Sequence, residues 1–336
     1  ASKQDGDLYY YLGSDGYMVR NTLLEDDDNY YYLNSAGVMT TNAWKYIQNP
    51  EWQGDNLVGE GSWYYFGPNG KAIKSDGEKA KVYDVGNQKF VFDSYGRMMT
   101  GWVTESGEYV EEEDDWASGM YYANGEDDGS VVTNAWVYIA VRDEENEEDS
   151  EPTYHFYFNS NGKKAVSTDK TIGDKKYHFD ERGVAVYGWV RSDSDDEDDF
   201  GWKYYGDSEE PYLRTGWFQA VPGSEMHSSA HDEGSMYWYY ATTNGKLYTD
   251  AIKTIDSKSY AFNSVGELIT GLKIVTYDED KKLTVNKSVE YASDVEDPLG
   301  ANQYVIYFGS DGAIKTGNQT ISLDGTSYTF NFKSNG

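Results

Sequence analysis

The chain has 336 residues and no cysteine. That excludes a disulfide framework, a thiolate nucleophile and any metal site built on sulfur, and it is compatible with the cytosol or with secretion that does not rely on disulfides. No apolar run approaches the ~20 residues of a membrane-spanning helix, so membrane insertion is not expected. The first residues, Ala1-Ser2-Lys3-Gln4-Asp5, do not form a signal peptide. Positive charge is scarce: 28 Lys and Arg stand against 59 Asp and Glu, a formal net charge of -31. Such a surface cannot displace counterions from nucleic acid or settle on an anionic membrane, and it favours a cationic or neutral ligand. Aliphatic material for one large core is also short. In its place stand 33 Tyr, 12 Phe and 10 Trp, enough for an aromatic spine if small units stack ring on ring.

Those rings recur in a fixed phrase. Phe92-Asp93-Ser94-Tyr95-Gly96 leads to Thr100-Gly101-Trp102, Phe179-Asp180-Glu181-Arg182-Gly183 leads to Gly188-Trp189, and Phe262-Asn263-Ser264-Val265-Gly266 leads to Gly271-Leu272. The pattern predicts a β-hairpin: an aromatic strand, a polar turn closed by glycine, and a second strand that ends on a large ring. Turn markers fall at Gly16, Gly37, Gly70, Gly96, Gly129, Gly162, Gly183, Gly245, Gly266, Gly312 and Gly336, with a glycine-less member around Pro211. Aromatic strands such as Tyr9-Tyr10-Tyr11, Trp63-Tyr64-Tyr65-Phe66 and Tyr237-Trp238-Tyr239-Tyr240 accompany them. A second period lies above the first: the hairpins at Gly70, Gly162 and Gly245 lack a terminal tryptophan, while the two after Gly70 and the two after Gly162 end in Trp102, Trp136, Trp189 and Trp217. The expected fold is therefore all-β, an elongated β-hairpin solenoid of about twelve repeats with roughly three hairpins per turn. Residues 1–336 read as a single array. Because the chain stops at Phe332-Lys333-Ser334-Asn335-Gly336, where a turn has begun, it is expected to be a piece of a longer surface protein.

Acidic insertions separate the hairpins: Glu25–Asp28, Glu111–Asp115, Asp143–Asp149 and Asp193–Asp199. They read as solvated loops, since none has the alternating ligands, central glycine and terminal glutamate of a calcium loop. His227 and His231, near Glu225, Asp232 and Glu233, are the only grouping that suggests a metal. The surrounding Pro222-Gly223-Ser224 and serines point instead to an irregular loop. His155 and His178 read as substitutions within the aromatic spine. With no nucleophile–base pair and carboxylates too numerous to single out a pair, neither an enzyme nor a cofactor is expected.

Gly188-Trp189-Val190, then Trp202-Lys203-Tyr204-Tyr205, then Thr215-Gly216-Trp217 resembles the cell-wall-binding repeat of choline-binding proteins. Lysine-rich units such as Lys175-Lys176-Tyr177-His178-Phe179-Asp180 are similar to the glucan-binding repeats of glucansucrases and the receptor-binding repeats of large clostridial toxins. The resemblance implies a hairpin solenoid, extracellular and associated with a cell wall or surface, that binds choline, glucan or another glycan between consecutive hairpins. Carried onto this chain, it implies sites at Trp189 with Trp202 and Tyr204, Trp217 with Trp238 and Tyr239, and Trp44 with Trp63 and Tyr64. Trp102 with Tyr121 and Trp136 with Tyr154 follow, and no cage is implied at Leu272. Electron-rich ring faces hold a quaternary ammonium by cation–π attraction, and the same faces stack on sugar rings. The reading favoured is a non-catalytic module that binds cell-wall polymer or other glycan. The alternatives are a choline-specific form and a passive stalk whose rings are all structural.

Overall fold

The computed structural model describes residues 2–6, 8–48, 61–110, 113–125, 128–142, 152–192, 201–278, 282–295, 299–334 and 336. Among them the protein is all-β, with one short α-helix, Ser228–Asp232, and 3-10 turns at Glu113–Ser118 and Ala292–Val295. The strands pair as small antiparallel sheets, all two-stranded but one. In the exception Gly271–Tyr277 lies between Leu283–Ser288 and Gln303–Phe308. Two compact units are distinguished: 1–168 with 179–185, and 169–178 with 186–336.

The glycine turn is built by the residue that opens it. In Asp93-Ser94-Tyr95-Gly96 the Asp93 carboxylate accepts the amides of Tyr95 at 2.9 Å and Arg97 at 2.8 Å, while Gly96 N–H donates to the Asp93 carbonyl. Asp180 repeats this with Arg182 and Val184, and Asn263 with Val265 and Glu267. An Asp or Asn side chain that satisfies two amides leaves the fourth residue at positive φ, here Gly96 at +81°, where glycine has no Cβ to strain.

The strand pairing differs from the sequence expectation. The aromatic strand does not pair mainly with the segment after its turn. It pairs with the strand before it: Trp44 lies opposite Tyr65, Trp102 opposite Tyr122, Trp136 opposite Tyr157, Trp189 opposite Tyr204 and Trp217 opposite Tyr240. The segment after the turn makes a single bridge back, as in Phe92 with Met98. Its remaining hydrogen-bonding capacity is drawn to a second partner. Met99 N–H donates to its own strand at Val91, but Met98 N–H donates to Trp63 of the preceding hairpin at 2.7 Å.

That step recurs inside each unit. Ala72 donates to the Tyr30 carbonyl, Val131 to Lys89 and Lys164 to Met120 in the first unit, and Leu213 to Lys176, Leu268 to Trp238 and Ile314 to Ser259 in the second. Each of these hairpins is thus bonded to the one before it. The cores are correspondingly local. One gathers Leu23, Tyr30, Tyr64 and Phe66, another Trp116, Val141, Phe156 and Phe158, and a third Phe218, Met226, Tyr239 and Leu247. Phe66, Phe92, Phe156, Phe158, Phe179, Phe262 and Phe308 are fully buried. Each such ring contributes roughly 1.5–3 kcal/mol, so aromatics replace the missing aliphatic core.

Candidate functional site

Side chains alternate across a strand, so an aromatic strand serves two joints at once. One parity faces the tryptophan of its own hairpin, and the other faces the preceding hairpin. Trp44 sits 5.2 Å from Tyr65 and meets the next hairpin at Phe90, 4.7 Å away, and at Phe92, 5.8 Å away. Trp63 closes the group at a right angle, 6.5 Å from Trp44. Trp217 reproduces this arrangement in the second unit. Tyr240 lies 5.1 Å away, Tyr260 4.9 Å, Phe262 5.9 Å, and Trp238 6.3 Å at an interplanar angle of 86°. Trp44 and Trp217 are half-buried, whereas Trp63 and Trp238 are 38% and 45% exposed. Among the described residues none of the chain's own cations lies over Trp44 or Trp217. Each joint therefore offers two indoles, one largely open, as a surface for a cation or a sugar ring.

Trp189 is packed more closely. It lies 4.7 Å from Tyr204, 4.9 Å from Tyr239 and 6.1 Å from Phe218, and its indole N–H donates to the Val221 carbonyl at 2.7 Å. Trp202 is half-buried against the same cluster. Trp136 meets Tyr157 at 5.4 Å and Phe179 at 5.6 Å. Trp102 meets Tyr122 at 5.1 Å and Phe156 at 5.2 Å.

The structure brings Trp189 together with Tyr204, Trp217 with Trp238, and Trp44 with Trp63, as the sequence grouped them. Four tyrosines are placed elsewhere. Tyr64 is fully buried beside Phe66, Tyr121 lies opposite Val103 in a core with Val91 and Met99, and Tyr239 joins the Trp189 cluster rather than Trp217. Tyr154 lies 5.7 Å from Trp116. For the first three the reason is parity: each has the side-chain direction opposite to the tyrosine that faces its hairpin's tryptophan. Burial raises the hydroxyl pKa of Tyr204, Tyr121 and Tyr239, so these tyrosines stay neutral. At Leu272 the side chain is buried with Ile274, Val289, Ile321 and Phe332, and Tyr307 lies opposite it on the paired strand.

Sequence reasoning passed over two features. A groove of about 330 Å³ in the first unit is lined by Tyr9, Tyr10, Tyr11, Tyr31, Asp26 and Met39, among others. It lacks the Gly-Trp signal, and only the stacking of two tyrosine-rich strands could have suggested it. The second is Lys164, whose ammonium lies 5.1 Å from the ring of Trp102, 6.0 Å from Trp116 and 5.7 Å from Phe156.

The segment expected to be an irregular loop holds the helix Ser228–Asp232, where the His231 amide donates to the His227 carbonyl, and the two imidazoles turn to different partners. His227 Nδ1 lies 2.7 Å from the buried carboxylate of Glu267, and His231 Nδ1 lies 2.9 Å from the Pro222 carbonyl. Of the acidic insertions, residues 111–112, 143–149 and 193–199 lie outside the described residues. In the Glu25–Asp28 turn Asp28 pairs with Lys74 at 2.9 Å.

Residues 3–18, 21–39 and 58–72 match the family described as "Putative cell wall binding repeat". The chain carries repeats of that kind. It is 32% identical over 166 residues to glucosyltransferase-S of Streptococcus mutans, covering 49% of this chain and 10% of that protein. It is 24% identical over 339 residues to glucosyltransferase-I of Streptococcus downei, covering 93% and 17%. The matched stretch is thus a small part of either relative. Among solved structures, choline binding protein F of Streptococcus pneumoniae is 20% identical, with 97% of this chain and 95% of that one covered and a TM-score of 0.45. CbpJ of Streptococcus pneumoniae is 21% identical, with 97% of each chain covered and a TM-score of 0.47.

Proposed function

We propose that the chain is a non-catalytic extracellular module that binds a cell-wall polymer or other glycan through aromatic sites between consecutive hairpins. The observation that carries this reading is the paired geometry at Trp44 and Trp217. The same four ring contacts recur in both units, with centroid distances that agree within 0.2 Å, and each leaves an indole in water. A core needs no such exposed indole, whereas a shallow stacking site does. Repeated weak sites on one array act together through effective concentration, so a polymer is held far more tightly than a monomeric unit. The cell wall binding repeats at 3–18, 21–39 and 58–72 and the net charge of -31 agree with a neutral or cationic wall component.

The choline-specific form has one observation in its favour. This fold already seats an ammonium, that of Lys164, against two indoles and a phenyl ring.

Tryptophan fluorescence of the full chain, titrated with choline, α-glucan and purified cell wall, tests the proposal. A saturable change with wall or glucan is expected, and a change with choline alone selects the choline-specific form. Trp63→Ala and Trp238→Ala together should lower retention on the ligand at least tenfold while the melting temperature moves by only a few degrees, since both rings are substantially exposed. No response to any of the three would leave the passive stalk as the function.

A further inference from the structure

Lys164 stands at a position where the repeats otherwise carry an uncharged residue. The residue two places after the turn marker is Met18, Ala72 or Ala185 in three repeats and Met39, Met98, Val131, Leu247, Leu268 or Ile314 in others, and each bridges back to the end of its strand as Lys164 does to Phe158. In the six hairpins with a larger residue from Met39 to Ile314 the side chain lies beneath the next turn glycine. Met39 lies under Gly70, Leu268 under Gly312, and the Lys164 stem under Gly183, where an added Cβ would approach Lys164 Cδ to 2.7 Å. The lysine stem therefore fills the ordinary place of a thioether or a branched alkyl group. The charged end goes further.

That end reaches the Trp102 joint. Lys164 is only 3% exposed, its ammonium donates to the Ala117 carbonyl at 3.0 Å, and the faces of Trp102, Trp116 and Phe156 lie around it at 5–6 Å. Burial draws its pKa down to about 8, and the Asp180 carboxylate opposes the fall. The group is thus still mostly an ammonium at neutral pH. Arg182 lies on the far part of the same cluster, 5.5 Å from Trp116 and 5.6 Å from Tyr154, and holds Asp180 at 3.4 Å.

The joint has the plan of those at Trp44 and Trp217. Phe156 and Phe158 take the parts of Phe90 and Phe92, and Tyr122 that of Tyr65. Met120 stands where Trp63 and Trp238 stand, judged by the carbonyl that accepts the next hairpin's amide. Trp116, from the 3-10 turn, supplies the second indole, 5.6 Å from Phe156. At the two open joints the residue in the place of Lys164 is Met98 or Leu268, with no charge.

We infer that the Trp102 joint is an ammonium site closed by the chain itself. Lys164 occupies the space that a small quaternary ammonium would take, and so determines that this joint binds none. Buried ring faces attract a cation most strongly once water is removed, and an ammonium tethered by its own backbone has no association entropy to lose. An external cation must displace it. The inference shares with the choline-specific form only the idea that these cages accept cations, and the two fail separately.

The test uses full-length protein labelled with ¹⁵N-tryptophan, titrated with choline chloride while the indole N–H resonances are followed. In the native chain the resonances of Trp102 and Trp116 should not move. In Lys164→Met, which installs the residue found at Met98, both should move saturably. Saturable shifts at Trp102 in the native chain, or none in a folded Lys164→Met, would overturn the inference. If the variant does not fold, competitive acetylation of the native protein at neutral pH decides. Lys164, only 3% exposed, should stay unmodified after the exposed Lys81 has reacted fully, and equal extents of acetylation would refute the buried ammonium. The indoles of Trp44 and Trp217 report on the choline-specific form in the same spectra. Their silence beside a response at Trp102 in Lys164→Met would count against choline at the open joints and leave the self-closed site standing.

Discussion

Tyr239 shows how a single side chain divides between binding surface and core. Its ring is fully buried, 4.9 Å from Trp189 and stacked 5.6 Å from Phe218, and its hydroxyl has no hydrogen-bond partner among the described residues. A buried hydroxyl left unpaired costs about 1–3 kcal/mol. Tyr239→Phe should therefore hold or raise stability, by up to about 1 kcal/mol, as read from the urea unfolding midpoint. A loss of that size would show that the hydroxyl is bonded. The run Tyr237-Trp238-Tyr239-Tyr240 was legible as an aromatic strand beside a tryptophan, but which tyrosine met which indole was not. Register decides that, and it is set by pairing Trp217 with Tyr240 rather than with its neighbour. Lys164 was hidden for a related reason. A lysine next to Lys163 reads as a solvated pair, and only superposing the residues two places after each turn marker reveals it in the place of Met98 and Leu268.

At the scale of the element, the turn glycines were the clearest signal in the chain, and they do two jobs that can be separated. Gly16 and Gly183 have nearly the same backbone, φ +82° and +84°, so an L-residue is strained at both, by about 1–3 kcal/mol. A Cβ at Gly16 would meet nothing within 4 Å. At Gly183 it would lie 2.7 Å from Lys164 Cδ and 2.9 Å from the Ala165 carbonyl oxygen of the preceding hairpin. Overpacking of that kind adds roughly 1–3 kcal/mol. Gly183→Ala should therefore lower the unfolding midpoint clearly more than Gly16→Ala. Equal losses would mean that the turn does not seat on its neighbour. The sequence marked where these turns fall but not which strands they separate. A glycine turn between two apolar segments looks like a hairpin connection. Only the amide directions, Met98 to Trp63 and Met99 to Val91, show that the segment after the turn links hairpins rather than completing one.

For the whole molecule, the absence of a large aliphatic core has a consequence for how it comes apart. Stability summed over neighbours does not need the far end of the chain. In the first unit the cluster around Leu23 and Tyr64, the one around Val91 and Tyr121, and the one around Trp116 and Phe158 draw their buried residues from positions up to 184. The amide steps there run no further than Ala185 to His155. A fragment of residues 1–185 should accordingly remain folded, with the near-ultraviolet dichroism of its packed indoles and a cooperative thermal transition. It should also keep the ligand response of Trp44 and Trp63, because every ring within 6.5 Å of Trp44 is contained in it. A fragment that lost its tertiary signal while the full chain kept it would mean that unit 1 depends on residues beyond 185, and the neighbour-by-neighbour account would fail with it. A fragment that stayed folded but lost the response would retain that account and remove the Trp44 joint as a site.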